Sequence, residues 1–318
     1  MPEWLIERGI GETRAALVEN GEIIESRIQL EGTAPAGTVI NARLVDIGTN
    51  GRNGVAVAEG GVEYLLPRGA PGASQGATLI VEVTREPIPG SETWKRPLAR
   101  TTDKPPGVVP SIEGRELAFP SPVDELAAAN WYDVIEQART GCTTFAGGEL
   151  RVSPTPAMTL IDVDGYLAPD ALARLGAAEA ARAIRRLDIG GSIGIDLPTV
   201  AGKADRQAAD DAIDAILPKP FERTAMNGFG FVQIVRPRTR ASLIELAQDR
   251  AAFEARALLR RTAFEQPGSK RVAAHPAVIA VLNDRPGWLD ALSRQIGGAV
   301  SLRADPKIPM SGGYAENA

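Results

Sequence analysis

Two short apolar runs in this chain each end on an aspartate. The first is Met158-Thr159-Leu160-Ile161-Asp162-Val163-Asp164-Gly165, and the second is Gly190-Gly191-Ser192-Ile193-Gly194-Ile195-Asp196-Leu197. An Ala/Arg-rich run from about Pro169 to Leu187 separates them and reads as a helix. Strand, helix, strand with a carboxylate closing both strands brings two oxygen ligands together at one end of an α/β sheet. Hard cations such as magnesium take oxygen ligands, so the arrangement points to metal-assisted chemistry on a phosphate.

The elements that must position these aspartates follow from hydrophobic period and turn residues. Residues 1–36 read as an N-terminal strand segment, with Arg14–Val18 and Ile23–Ser26 joined at Asn20-Gly21, a hairpin signal. Residues 37–101 carry short alternating strands at Val39–Leu44, Gly54–Val57, Glu63–Leu66 and Leu79–Val83, punctuated by glycines. That pattern suggests a small closed barrel of OB type, a fold that often holds single-stranded nucleic acid. Residues 102–120, with Lys104-Pro105-Pro106-Gly107, read as a linker. Ser121-Pro122-Val123-Asp124 then opens a helix, with serine as cap and proline at the first helical position. From there to 266 strands and helices alternate, which implies an α/β domain, and Ala241–Arg261 reads as one long amphipathic helix. Residues 267–318 form a small α+β C-terminal unit, with a helix near Gly287–Gly297 and a strand at Ala299–Leu302.

Composition excludes several classes. With 318 residues, 44% hydrophobic and 24% charged, the chain has the make-up of a globular protein of two or three domains. No apolar run approaches the roughly 20 residues of a membrane span, and no secretory signal opens the sequence, so a cytoplasmic, non-membrane protein is expected. The single Cys142 rules out an internal disulfide and a multi-cysteine zinc site. The net charge of −5 disfavours a general polyanion binder, yet it is unevenly spread. Pro122–Asp214 holds 15 acids against 8 bases, and Lys219–Arg271 holds 11 bases against 5 acids. An acidic cation-holding segment followed by a basic one suits an anionic polymer, although Arg250, Arg256, Arg260 and Arg261 also fit a solvated helix face.

The residues resemble the ribonuclease E/G family. The carrying pieces are Thr159-Leu-Ile-Asp162-Val-Asp164, then Ala180-Ala-Arg-Ala-Ile-Arg-Arg-Leu-Asp188-Ile-Gly190-Gly191, then Ile195-Asp196. Asn227-Gly228-Phe229-Gly230-Phe231-Val232-Gln233 and Arg236-Pro237-Arg238 follow. The family's catalytic domain runs strand-Asp, a helix ending in a basic Leu-Gly-Gly turn, strand-Asp, then an Arg-Phe-Gly segment before a basic stretch. The match covers roughly Trp131–Leu243, and more weakly the barrel and the terminal unit. It implies a deoxyribonuclease-I-like α/β catalytic domain over residues 121–266 and a single-strand-specific endoribonuclease of RNA processing or decay. It implies Mg2+ on Asp162 and Asp196, water attacking a backbone phosphate, and a product with a 5′-phosphate. Asp164 stands where the family usually has asparagine, as a further catalytic candidate, an added ligand or a source of repulsion.

Departures from the family point to a reduced member. Its Cys-Pro-x-Cys zinc link has no counterpart, so no zinc is expected and a homodimer would form through the basic helix or the terminal unit. The insert that senses a 5′-monophosphate is also missing. Two stacking aromatics of the barrel align with Ala56 and Leu65, and alternation turns the adjacent Tyr64 to the opposite face. Lys95 matches a basic position at the barrel's last strand. The alternating Arg236, Arg238 and Arg240 are candidates to track phosphates, and Phe229 and Phe231 are core strand residues or stacking platforms. Gly190-Gly191 reads as a tight turn, His275 as structural and Cys142 as a small buried residue. One alternative is an RNA-binding regulatory paralogue that cuts nothing. Another is a haloacid-dehalogenase-like phosphatase, because Leu160-Ile-Asp162-Val-Asp164-Gly165 resembles that superfamily's signature, with Asp210, Asp211 and Asp214 as later acids. An EF-hand fails, since its sixth-position glycine and twelfth-position glutamate are missing.

Overall fold

A computed structural model of the chain describes residues 1–89, 95–108 and 113–318. In chain order the elements are β1 (Glu3–Arg8), β2 (Glu12–Glu19), β3 (Glu22–Leu30), β4 (Val39–Asp46), β5 (Gly54–Ala58), β6 (Glu63–Leu66), β7 (Thr78–Arg85), β8 (Leu98–Thr101) and β9 (Arg115–Leu117). Next come α1 (Glu125–Ala128), α2 (Trp131–Thr140), β10 (Cys142–Phe145), β11 (Gly148–Pro154), β12 (Thr159–Gly165), α3 (Pro169–Arg186), β13 (Gly191–Asp196), α4 (Lys203–Ile216), β14 (Glu222–Arg223) and β15 (Phe231–Arg236). The chain closes with α5 (Leu243–Leu246), α6 (Arg250–Ala263), β16 (Lys270–Ala274), α7 (Pro276–Asn283), α8 (Pro286–Ile296), β17 (Val300–Ala304) and β18 (Tyr314–Asn317). They divide into two compact units. One comprises Met1–Glu31, Gly114–Val134 and Leu246–Ala318, and the other Gly32–Glu113 and Ile135–Glu245.

In the first unit β1, β2 and β3 form an antiparallel meander, with β9 parallel to β1. The β2–β3 turn has positive φ at both Asn20 (53°) and Gly21 (82°), the backbone an Asn-Gly hairpin demands. The C-terminal strands make a separate sheet in the order β17-β16-β18. Ile10 shares one core with Leu258, Leu259, Val272, Leu282 and Leu292. The expected domain boundaries therefore shift: residues 267–318 share a core with the N-terminal segment and α6. The segment read as a linker contains β9, whose Arg115 also pairs with Glu3 and Glu125 at 3.1 and 2.7 Å; residues 109–112 of that segment lie outside the described residues. The helix read over Ala241–Arg261 is two helices. Asp249 caps the second by accepting from Ala252 N. Likewise Asp124, not Ser121, caps α1, accepting from Ala127 N at 2.9 Å.

A buried ionic network fills part of this unit. Arg260 donates to Glu7 (2.9 Å) and Asp124 (2.7 Å), Arg256 to Glu12 (2.8 Å), and Arg14 to both Glu7 and Glu12 (2.7 Å). Burial of three arginines demands such partners, since an unpaired charge in a core is costly. Of the four arginines read as a possible solvated face, Arg256 and Arg260 are thus buried.

The second unit contains a closed five-stranded barrel, β4-β5-β6-β8-β7, with β6 parallel to β8 and the remaining pairs antiparallel. Its order and size are consistent with the OB type. Leu44, Ala56, Tyr64, Leu66, Val81, Val83 and Ala99 fill the interior. Tyr64 therefore points inward, as alternation requires. Ala56, its cross-strand partner, also points inward, so the outer wall at this pair is Val55 and Leu65. The same unit holds a six-stranded sheet, β10-β11-β12-β13-β15-β14, mostly antiparallel apart from the β12–β13 pair.

Candidate metal centre on an open sheet face

The strand–helix–strand reading around the aspartates holds. α3 starts on Pro169 and lays Leu172, Ala173, Ala177, Ala180 and Ile184 into the core. A Cβ at Gly176 would meet Val163 Cγ1 at 2.4 Å, so glycine there sets the close approach of helix and sheet. Ile161, Val163, Ile193, Ile195, Val232 and Ile234 occupy the buried side of the strands. The period of two turns the alternate residues to the other face.

That other face is open, and it carries the aspartates. Asp162 and Asp196 are direct partners in the parallel register, and Asp164 lies two residues further along β12. All three are exposed. Adjacent strands are about 4.8 Å apart, so this register sets the two aspartates side by side on neighbouring strands. Asp162 has its pKa raised above the usual carboxylate range, first by burial of its carboxyl and then by the charges of Asp164 and Asp196. Arg151 lies opposite Asp162 on β11 and opposes the shift, but its guanidinium donates to Glu149 at 3.0 and 2.7 Å. Among the described residues no group of three or more His, Cys, Asp or Glu side chains is arranged to hold a metal ion. Magnesium usually keeps several waters and takes only one or two carboxylates, so the donor pair fits that ion.

The remaining expected residues are placed differently. Phe231 sits on β15 opposite Asp196 and lies across Gly194, where a Cβ would meet its ring at 2.5 Å. Phe229 is not a core residue: it tops the preceding turn and is 84% exposed. Arg236, Arg238 and Arg240 do not form a row for phosphates, because the strand ends at Arg236. Arg236 donates to Ile189 O (2.8 Å), Arg238 to Glu245, and Arg240 to Asp188 (3.1 Å). Lys95 is half-buried and precedes β8 rather than lying on it. Gly190 is a point of close backbone approach, since a Cβ there would meet Pro237 O at 2.7 Å. It therefore serves as a turn. Thr199 donates to Phe229 O at 3.3 Å, and α4 begins with no side-chain cap.

The phosphatase alternative loses its later acids. Asp210 is buried, accepts from Met226 N at 3.1 Å and pairs with Arg223 at 2.9 Å; Asp214 pairs with the same arginine at 2.6 Å. Arg223 holds the Asp214 carboxyl below its usual range. Sequence reasoning passed over Arg151, Glu149 and Tyr166. The Gly147-Gly148 turn signals the β10–β11 hairpin and, with β11 antiparallel to β12, puts Glu149 and Arg151 beside the aspartates.

No protein-family model matches this chain, and no curated protein does. Among the described residues no helix is long and apolar enough to cross a membrane.

Proposed function

We propose that this chain is a magnesium-dependent endonuclease of single-stranded RNA, a reduced relative of the ribonuclease E/G family with a deoxyribonuclease-I-like catalytic sheet. The observation that carries the reading is the register pairing of Asp162 with Asp196 on an exposed face, where the charges of Asp164 and Asp196 help to raise the Asp162 pKa. When bound, magnesium supplies charge neutralisation at the phosphate and lowers the pKa of bound water. Asp162 and Asp196 hold it and fix its place on the sheet. The rigid β12–β13 pair keeps their spacing constant, which favours one orientation of the phosphate. Asp164 adds a third carboxylate on the same face, close enough to raise the Asp162 pKa.

The barrel contributes less to this reading. Its outer wall at the β5–β6 pair offers Val55 and Leu65 where stacking rings would grip bases, so the recognition surface is placed on the sheet face.

The test is cleavage of an A/U-rich single-stranded RNA by the full chain, with magnesium or EDTA. Magnesium-dependent products with 5′-phosphates, lost in Asp162→Asn and Asp196→Asn, support the reading. Retained RNA binding with no cutting at any magnesium concentration moves it to the regulatory paralogue, for which the extra charge of Asp164 is the favouring feature.

A further inference from the structure

Two aromatic rings project into solvent at the rim where β12 and β13 end. Phe229 is 84% exposed and Tyr166 is 85% exposed. Neither belongs to a loose segment. Asn227 Oδ1 accepts from Phe229 N (2.9 Å) and Phe231 N (3.1 Å), and Gly230 N donates to Asn227 O at 3.2 Å. Leu197 N, just past Asp196, donates to Gly230 O at 3.1 Å. Gly230 adopts φ +93°, and a Cβ there would lie 2.1 Å from Leu197 O. The Asn227-Gly228-Phe229-Gly230 turn is thus built tight against the end of β13, and its one projecting apolar group is the phenyl ring. On the other side, Tyr166 N donates to Gly147 O at 3.2 Å. Tyr166, two residues past Asp164, is the first residue after β12, which ends at Gly165.

Register gives the placement. Asp162, Asp196 and Phe231 share one level across three strands. Phe229 and Tyr166 lie just beyond the ends of β15 and β12, at the end of the sheet where β13 stops. Single exposed apolar residues are ordinary, but two rings on braced turns beside a carboxylate pair are an organised surface. Aromatic rings accept the π-face of any base, and bases within a duplex are not free to meet them.

We propose that Phe229 and Tyr166 are stacking platforms for two bases of a single-stranded RNA, one on each side of the phosphate held at Asp162 and Asp196. This rests on the nuclease reading for the placement of that phosphate. A divalent cation is required for the grip. The face presents Asp162, Asp164, Asp196 and Glu149, and Arg151 is already bonded to Glu149, so a polyanion without a cation is repelled. The platforms select unpaired RNA and tolerate its sequence, and they take over what the aliphatic barrel wall lacks.

The probe is a short single-stranded RNA carrying 2-aminopurine at successive positions, added to the full chain in calcium, which also takes oxygen ligands, or in EDTA. Wild type is expected to quench the fluorescence at two separate positions in calcium and at none in EDTA. Tyr166→Ala and Phe229→Ala each remove the quenching at one position and weaken binding about tenfold, within the range for one stacked base. Tyr166→Phe and Phe229→Trp restore both readouts. Unchanged quenching and affinity in both alanine variants overturn the proposal. So does a wild-type dimer in sedimentation that Phe229→Ala dissociates, which assigns the rings to a second copy of the chain. If wild type cuts RNA and the alanine variants cut with unchanged KM, the platforms fall and the nuclease stands. Ring-dependent quenching without any cutting in magnesium leaves the platforms standing and removes the nuclease.

Discussion

Three acidic side chains cluster in each of two regions of this molecule, under opposite conditions. Glu7, Glu12 and Asp124 meet Arg14, Arg256 and Arg260, charge for charge, in a buried network. Asp162, Asp164 and Asp196 stand together on an open sheet face where Arg151 is shared with Glu149. The first set is closed: every carboxylate has its cation inside the chain, and the product is structure. The second is open, with like charges side by side, and in the proposed reading an external cation relieves their repulsion. Burial with a matched partner marks an acid that holds a fold together, and exposure beside like charges is the arrangement the proposed cation site uses.

The strongest way to break that comparison is to remove one cation from the closed set. Arg260→Ala leaves Glu7 and Asp124 short of a buried partner and is expected to cost about 3–5 kcal/mol in urea denaturation. Asp196→Asn on the open set should leave stability nearly unchanged while lowering magnesium-dependent cleavage more than about a hundredfold, since loss of an outer-sphere partner alone costs 10–100-fold. Similar stability losses in both variants would erase the distinction.

A pH titration sharpens it. The folded Asp162 carboxyl binds its proton at higher pH than it does in the unfolded chain. In that window the native state holds more protons, so stability without metal falls as pH rises through the raised pKa and gains as pH drops into it. Magnesium competes with the same proton, so its apparent affinity should weaken on acidification before the ordinary carboxylate range is reached. Calorimetry across mildly acidic pH checks both signs, and a metal affinity flat over that range speaks against Asp162 as a ligand.

The smallest expected effect belongs to Asp164. Asp164→Asn removes one of the charges acting on Asp162 and should move the Asp162 carboxyl toward its usual value, read by carboxyl carbon NMR. Stability in EDTA should rise by no more than roughly 0.5 kcal/mol, as for other surface changes. An unmoved Asp162 titration would mean that burial and Asp196 set its pKa without Asp164.

Much of this was legible in the chain. Asn20-Gly21 announced its hairpin, glycine punctuation announced the barrel, and two apolar runs ending in Asp162 and Asp196 announced two strands, which pair with those aspartates in register, because these signals are local. What was hidden depends on distant partners. The basic stretch Lys219–Arg271 reads as a surface for polyanions, yet Arg223, Arg238, Arg240, Arg256 and Arg260 are each bonded to an acid elsewhere in the chain. Charge counts along a sequence carry no record of such pairings. Phe229 read as a core residue by its period of two with Phe231, but Gly230 at positive φ ends the strand pattern one residue too soon. The α5–α6 break was concealed for a similar reason: Asp249 is both a plausible charged surface residue within one long helix and a cap for a new one.

The most direct test is manganese binding followed by electron paramagnetic resonance, with manganese standing in for magnesium. The account predicts one site on wild type that disappears in Asp162→Asn and in Asp196→Asn and persists in Asp214→Asn. Manganese bound equally by all four proteins, or by none, would contradict the claim that the open aspartates form a cation site.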